Sequence, residues 1–349
     1  MKKIAATTGV FALLLCVFAS VNAHSESKPF YRDGLIFPIG NAGFKSCHGS
    51  TLIELSNGDI LAAWYGGDYE RAHNVKIYAA RMNIVTGEWT KPWIIQETPG
   101  LSEGNPVLWL SPDKKTVWLF FVTIMKETWN DARMFYKKST DEGKTWGEHV
   151  TLIEKLGWMT RNKPLVLKNG DILLPIYNET MFYSQFFISK DGGTNWDWSG
   201  PLRAPGGIIQ PSVVQLSDGS LLTVMRTGSG NGLAWWSRSA NDGKKWTKPY
   251  TTDIKNPMSA ADMVTLPNGH IALVYNDSAK ERNPLTVAIS TDEGKTWPVK
   301  RDIENAPNGS FGYPAVIATS DGVIHVTYSY SRDSIKYAAF DEAWATEKQ

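Results

Sequence analysis

Apolar runs paired across short polar turns organise most of the chain. The stretches "LIELSNGDILAAW", "LVLKNGDILLPIY", "VVQLSDGSLLTVM", "MVTLPNGHIALVY" and "VIATSDGVIHVTY" each set an Asn-Gly or Asp-Gly pair between two strand-like segments. A sixth, "VLWLSPDKKTVWLFF", carries Asp113-Lys114 where the others have the glycine turn. Asn-Gly and Asp-Gly supply the backbone conformations that a tight hairpin requires, so each stretch predicts two antiparallel strands. No apolar spacing of useful length follows the helical period.

A second repeat runs out of phase with the first. "STDEGKTW" occurs at Ser139–Trp146 and again, letter for letter, at Ser290–Trp297, with weaker copies "SKDGGTNW" and "SANDGKKW" between them. The four copies start at 139, 189, 239 and 290, spaced by 50, 50 and 51 residues, and a remnant "TGEW" ends at Trp89. In each copy an Asp or Asn can accept hydrogen bonds from turn N–H groups, and the glycine supplies a conformation other residues disfavour. The tryptophan is expected to cap the packing between sheets. Six hairpins at this spacing, with a further strand pair between most of them, predict six four-stranded sheets. The fold is therefore all-β, a six-bladed β-propeller. "FYRDGLIFP" near Phe30 is expected to supply the closing strand beside "IKYAAFD".

The Ser-x-Asp-x-Gly-x-Thr-Trp signature on a six-bladed propeller resembles the sialidase superfamily, in particular its BNR-repeat, Asp-box branch. The resemblance covers essentially the whole chain after its N-terminal segment. It implies the propeller fold strongly and the chemistry less so, because such boxes lie far from the active site.

The N-terminal segment has the pattern of a signal peptide. Lys2 and Lys3 precede an apolar stretch from Val10 to Ala19, too short to span a bilayer securely, and Val21-Asn22-Ala23 offers small residues for cleavage. The expected domains are a signal peptide over 1–23 and the propeller over 24–349, in a periplasmic or secreted protein without a stable membrane span. Cleavage after Ala23 would leave Cys47 alone, so no intramolecular disulfide is expected. With 36 basic and 35 acidic residues the chain gives no sign of a nucleic-acid surface. The six histidines lack zinc-type spacing, and no metal or organic cofactor is expected. The 15 Trp, 13 Tyr and 13 Phe suit both a β-rich core and sugar-stacking walls, for which Trp64, Tyr65 and Tyr275 are candidates.

A propeller directs the start of each innermost strand, and the far end of the strand after it, to one rim of a central funnel. The first set reads His48, Asn105, Lys163 with Arg161, Gln210, Asp262 and Tyr313. The second includes Glu70, Arg71, Glu179, Arg226, Asn276, Asp277 and Arg282. Arg226 and Arg282 over one funnel predict an anionic ligand, since guanidinium forks pair with carboxylates. The sialidase resemblance implies that Tyr313, in "GSFGYPAV" and 31 residues after Arg282, is the nucleophile. It also implies a glutamate about fifteen residues before the central arginine, as base to that tyrosine. Here Gln210 stands there, sixteen before Arg226, and an amide takes no proton. His48 replaces the first sialidase arginine.

Three readings remain open. A divergent exo-glycosidase would remove a terminal sialic or uronic acid from an acidic glycan. Tyr313, Glu179, Glu70 and His48 would be its catalytic residues. Arg226, Arg282, Gln210, Lys163, Asn105, Asp262 and Asn276 would bind the substrate. A polysaccharide lyase would use Tyr313 and His48 to abstract the proton beside a uronate carboxylate. A non-catalytic propeller would bind acidic glycans. The protein is expected to act as a monomer.

Overall fold

The computed structural model describes residues 29–347. The expected signal peptide and its cleavage position lie outside them. Six antiparallel sheets follow one another around a ring. Blade 1 comprises Ser46–Glu54, Ile60–Gly67, Lys76–Met82 and Trp93–Gln96. Blade 2 runs from Ser102–Leu110 to Val150–Ile153, blade 3 from Trp158–Thr160 to Asp197–Trp198, and blade 4 from Ile208–Gln215 to Tyr250–Lys255. Blade 5 runs from Asp262–Thr265 to Val299–Glu304, and blade 6 starts at Phe311–Ala318. This is the six-bladed β-propeller the sequence predicts.

The ring closes with a strand from the other end of the chain. Tyr31–Leu35 pairs antiparallel with Ser334–Phe340, from Tyr31 opposite Phe340 to Leu35 opposite Lys336. A helical turn that the sequence pattern does not announce, Glu342–Thr346, locks this seam. Its N-cap Asp341 accepts from Trp344 N, and the Trp344 ring stacks on Tyr31 at 4.4 Å. Five residues are too few for a 3.6-residue period to show. Among the described residues no helix is long and apolar enough to cross a membrane.

The repeated boxes form the outer turns. Asp141 accepts from Thr145 N at 2.9 Å and from Thr145 Oγ1 at 2.6 Å, while Ser139 Oγ receives Gly143 N at 2.9 Å. These donors, the Thr145 hydroxyl first, hold the Asp141 carboxyl down at about 2. The box glycine has a second duty. At Gly143 φ is +83°, and a Cβ would stand 2.6 Å from Leu61 of the preceding blade. Gly193 meets Trp118 of blade 2 in the same way, at 2.9 Å. Each turn thus fits against the second strand of the blade before it, which is why the motif recurs with the blade period.

Blade 3 departs from the regular hairpin. Its inner edge is two short pieces, Trp158–Thr160 and Leu165–Val166, both paired with Ile172–Asn178. Between them Arg161, Asn162 and Lys163 leave the sheet before Pro164, and their side chains bond to other blades.

Candidate active site

Four innermost strands break register at the funnel rim. The slips fall between His48 and Thr51, Gly104 and Val107, Ile209 and Ser212, and Gly312 and Ala315. A bulge re-aims the side chain it carries. At three of them a non-glycine residue lies in the left-handed region directly before a proline. The φ values are 43° at Asn105, 57° at Gln210 and 56° at Tyr313. Each such conformation costs on the order of 1–3 kcal/mol and persists where surrounding structure enforces it.

Tyr313 is the centre of the site. Its phenol oxygen receives Arg226 Nη1 at 2.7 Å and Gln210 Nε2 at 3.2 Å. The Arg282 guanidinium lies 5.0 Å from its ring centroid and the His48 ring 4.1 Å away. Burial pushes the phenol up. The Arg226 and Arg282 charges and the Gln210 hydrogen bond outweigh it and bring Tyr313 below its ordinary value.

The Gln210 amide has one sensible orientation. Its Oε1 accepts from Arg226 Nη1 at 3.3 Å, so its NH₂ faces Tyr313 and Tyr177. Gln210 therefore donates to the phenol oxygen and suits a phenolate. Asn105 Nδ2 reaches Tyr177 O–H at 2.9 Å, which fixes that ring beside the cavity.

The carboxylates sit across the cavity. Glu179 is half-buried: burial raises its carboxyl, Arg226 lowers it, Glu70 raises it, and the net direction is upward. Glu70 accepts from Trp129 Nε1 at 3.1 Å and forms an ion pair with Arg332. Glu70, Trp129 and Glu179, with Tyr65, Tyr177, Gln210, Arg226 and Tyr313, line a pocket open to solvent with a cavity volume of about 30 Å³.

His48 is held neutral. Burial first, then Arg332, Arg282, Arg161 and Arg226, depress its basicity well below the usual imidazole value. Its Nε2 faces Arg282 Nη1 at 3.5 Å and its Nδ1 meets Ser329 Oγ at 2.6 Å. A guanidinium only donates, so Nε2 accepts and Nδ1 carries the proton.

Other predicted residues serve the frame. Asp262 pairs with Lys163 Nζ at 2.8 Å and accepts from Ser212 Oγ at 2.7 Å and Val316 N at 2.9 Å. With its oxygens so engaged, Asp262 braces blades 3, 4, 5 and 6 beneath the rim. Asn276 donates to Pro284 O and Phe311 O at 3.0 and 2.7 Å, and fixes the loop that carries Arg282. Arg71 reaches Glu127 O on the exposed rim, and Asp277 lies 3.5 Å from both Lys255 and Lys300. Trp64 and Tyr275 are core residues, fully buried, while Tyr65 lines the cavity.

Sequence reading missed Trp129, Tyr177 and Arg332. The signal for Arg332 was present. It follows the returning strand Ile324–Tyr330, just as Arg226 belongs to the end of Leu221–Thr227. The same rule, applied to every hairpin, reaches Tyr177 near the end of Ile172–Asn178 and Trp129 after Val117–Ile124.

Residues 58–326 match the family model of the BNR repeat-like domain. The chain belongs to this family. Its relatives place it on the sialidase-like side. It is 24% identical over 219 residues to a sialidase of Bacteroides fragilis, covering 57% of this chain and 40% of that protein. It is 27% identical over 232 residues to a sialidase of Micromonospora viridifaciens, covering 59% and 35% respectively. The BNR repeat-like chain thus spans well under half the length of these curated relatives. Among solved structures, the Hadza microbial sialidase Hz136 superposes with a TM-score of 0.77 at 17% identity, covering 88% of this chain and 68% of that one. A Dyadobacter fermentans protein of unknown function gives 0.74 at 20% identity, covering 89% and 99%. At these identities the likeness shows the fold.

Proposed function

We propose that this sialidase-like propeller is an exo-glycosidase that hydrolyses a terminal acidic sugar, a sialic or uronic acid, from a glycan. The observation that carries this reading is the pair of guanidinium groups, Arg226 and Arg282, flanking the Tyr313 phenol beside a polar cavity. Arg161, Arg226, Arg282 and Arg332 act on His48, and Arg226 and Arg282 act on Tyr313, beside a cavity lined by the carboxylates of Glu70 and Glu179; a phenolate and a substrate carboxylate would supply further counter-charge. The apolar leader read over residues 1–23 supports action in the periplasm or outside the cell.

Chemistry follows from the placement. The Tyr313 oxygen attacks the anomeric carbon as the glycosidic C–O bond breaks. Glu179, whose carboxyl burial raises above its ordinary value, gives its proton to the departing oxygen. The Glu179 carboxylate then takes a proton from water, which attacks the anomeric carbon and releases Tyr313 with retained configuration. Glu70, paired with Arg332, holds one wall, and burial followed by the Glu70 charge raises Glu179 against the pull of Arg226. Gln210 stabilises the ionised phenol where other members of the superfamily use a base.

Release of the terminal sugar from sialosides and from uronide-capped oligosaccharides tests the reading. A new ultraviolet-absorbing double bond in the product would identify a lyase, and binding without turnover a lectin-like propeller. The lyase reading is not favoured: the His48 lone pair it needs as a base faces a guanidinium.

Two variants probe the proton inventory. Glu179→Gln should lower kcat/KM by about 10²–10⁴-fold on substrates with alcohol leaving groups and far less on nitrophenyl glycosides, while kcat falls on both because the same group activates the attacking water. Its pH profile should also lose one limb. A raised carboxyl pKa keeps the acid protonated to higher pH, so that limb lies above the ordinary carboxylate range, and acid catalysis fades as pH rises through it. Gln210→Glu replaces an N–H donor to the phenol oxygen by a negative charge. Tyr313 should then titrate higher and turnover fall about tenfold; a faster enzyme would show that the site lacked a base.

A further inference from the structure

Arg161 is the least explained charge in the molecule. It is 1% exposed, and among the described residues no carboxylate lies within ion-pairing distance of its guanidinium. It leaves blade 3 at the break in the inner edge and points across the propeller axis. Blades 3 and 6 face each other in a ring of six, and Arg161 spans the gap between them. Its Nη2 donates to Tyr313 O at 2.6 Å and to Pro314 O at 3.2 Å. Its guanidinium carbon stands 5.3 Å from the Tyr313 ring centroid. The neighbouring Asn162 makes similar crossings to Gln210 O, Pro211 O and Ala261 O.

We propose that Arg161 is a positioning residue for Tyr313, clamping from across the axis the left-handed main chain that aims the phenol oxygen at Arg226 and Gln210. The geometry supports this in three ways. The carbonyls it holds belong to the strained residue, φ 56°, and to the proline after it. A left-handed conformation before proline needs an outside restraint to persist. Among the described residues the remaining N–H groups of Arg161, Nε and Nη1, find no partner, so its bonding is directed at the Tyr313–Pro314 carbonyls.

The proposal rests on Tyr313 being the reacting group, but one readout does not need activity. Difference ultraviolet titration of the parent against Tyr313→Phe isolates the ionisation of Tyr313. Arg161→Met, close in volume and without charge, should move that ionisation upward by about one pH unit. It should lower kcat about 10²-fold, as expected for a small displacement of a reacting atom, and change KM by less than about threefold. Arg161→Lys keeps the charge but has the shorter reach, and should restore most of the ionisation while leaving kcat about tenfold low. A folded Arg161→Met or Arg161→Lys protein with the parent's Tyr313 titration and kcat would overturn the assignment. If the parent hydrolysed no acidic glycoside, the glycosidase reading would fall, and the titration of the two variants would still judge the clamp.

Discussion

Tyr313→Phe will leave the propeller folded and reduce kcat/KM for the acidic glycoside by about 10³-fold or more. The variant removes one oxygen from a buried ring. The ring keeps its place against His48, 4.1 Å away, and the Arg161 bond to its main chain. The lost atom is the one on which Arg226 and Gln210 converge. The thermal midpoint should stay within a few degrees of the parent's, because Arg226 and Gln210 keep their bond to each other and both line the open cavity. The same titration that follows Tyr313 should show one ionisation fewer at the low end of the tyrosine range. Turnover within tenfold of the parent would mean that the phenol oxygen takes no part in bond breaking.

Arg226→Leu carries the second large effect, and it divides into two measurable parts. Arg226 donates to the Tyr313 oxygen, and in the proposed reaction it also meets the incoming carboxylate. Removing it should lower kcat/KM by about 10²–10³-fold. The preference for the acid over the corresponding carboxamide should shrink by at least about tenfold. Its loss also withdraws the main downward influences on Glu179 and Tyr313, so both groups should titrate higher than in the parent. A variant that keeps the full acid preference would place the carboxylate against Arg282 alone.

These two residues show how unevenly the site can be read from sequence. Arg226 and Tyr313 are legible because the hairpins are. Once "VVQLSDGSLLTVM" is a strand pair, the residue after Met225 must reach the rim, and Tyr313 opens the last inner strand by the same count. Arg332 obeys that rule too. The partnerships are not legible. Asp262 and Lys163 occupy rim positions in sequence, yet in space they satisfy each other beneath the cavity, 2.8 Å apart. His48 has an ordinary imidazole's prospects as a base until the fold buries it, with four arginines near. Gln210 reads as a lost base until its carbonyl is found on Arg226, which turns its N–H toward the phenol.

The sequence by itself determined the blades, their number and their order. Those follow from local rules: a two-residue period, a turn that demands glycine, and a box that must fit the blade before it. The tertiary structure alone decided which rim residues line the cavity and which bond to one another, and that Arg161 crosses from blade 3 to hold Tyr313. The reason is distance along the chain. Arg161 and Tyr313 are 152 positions apart, and His48 and Arg282 are 234. Contacts of that range depend on how six sheets close around an axis, and no local pattern records them.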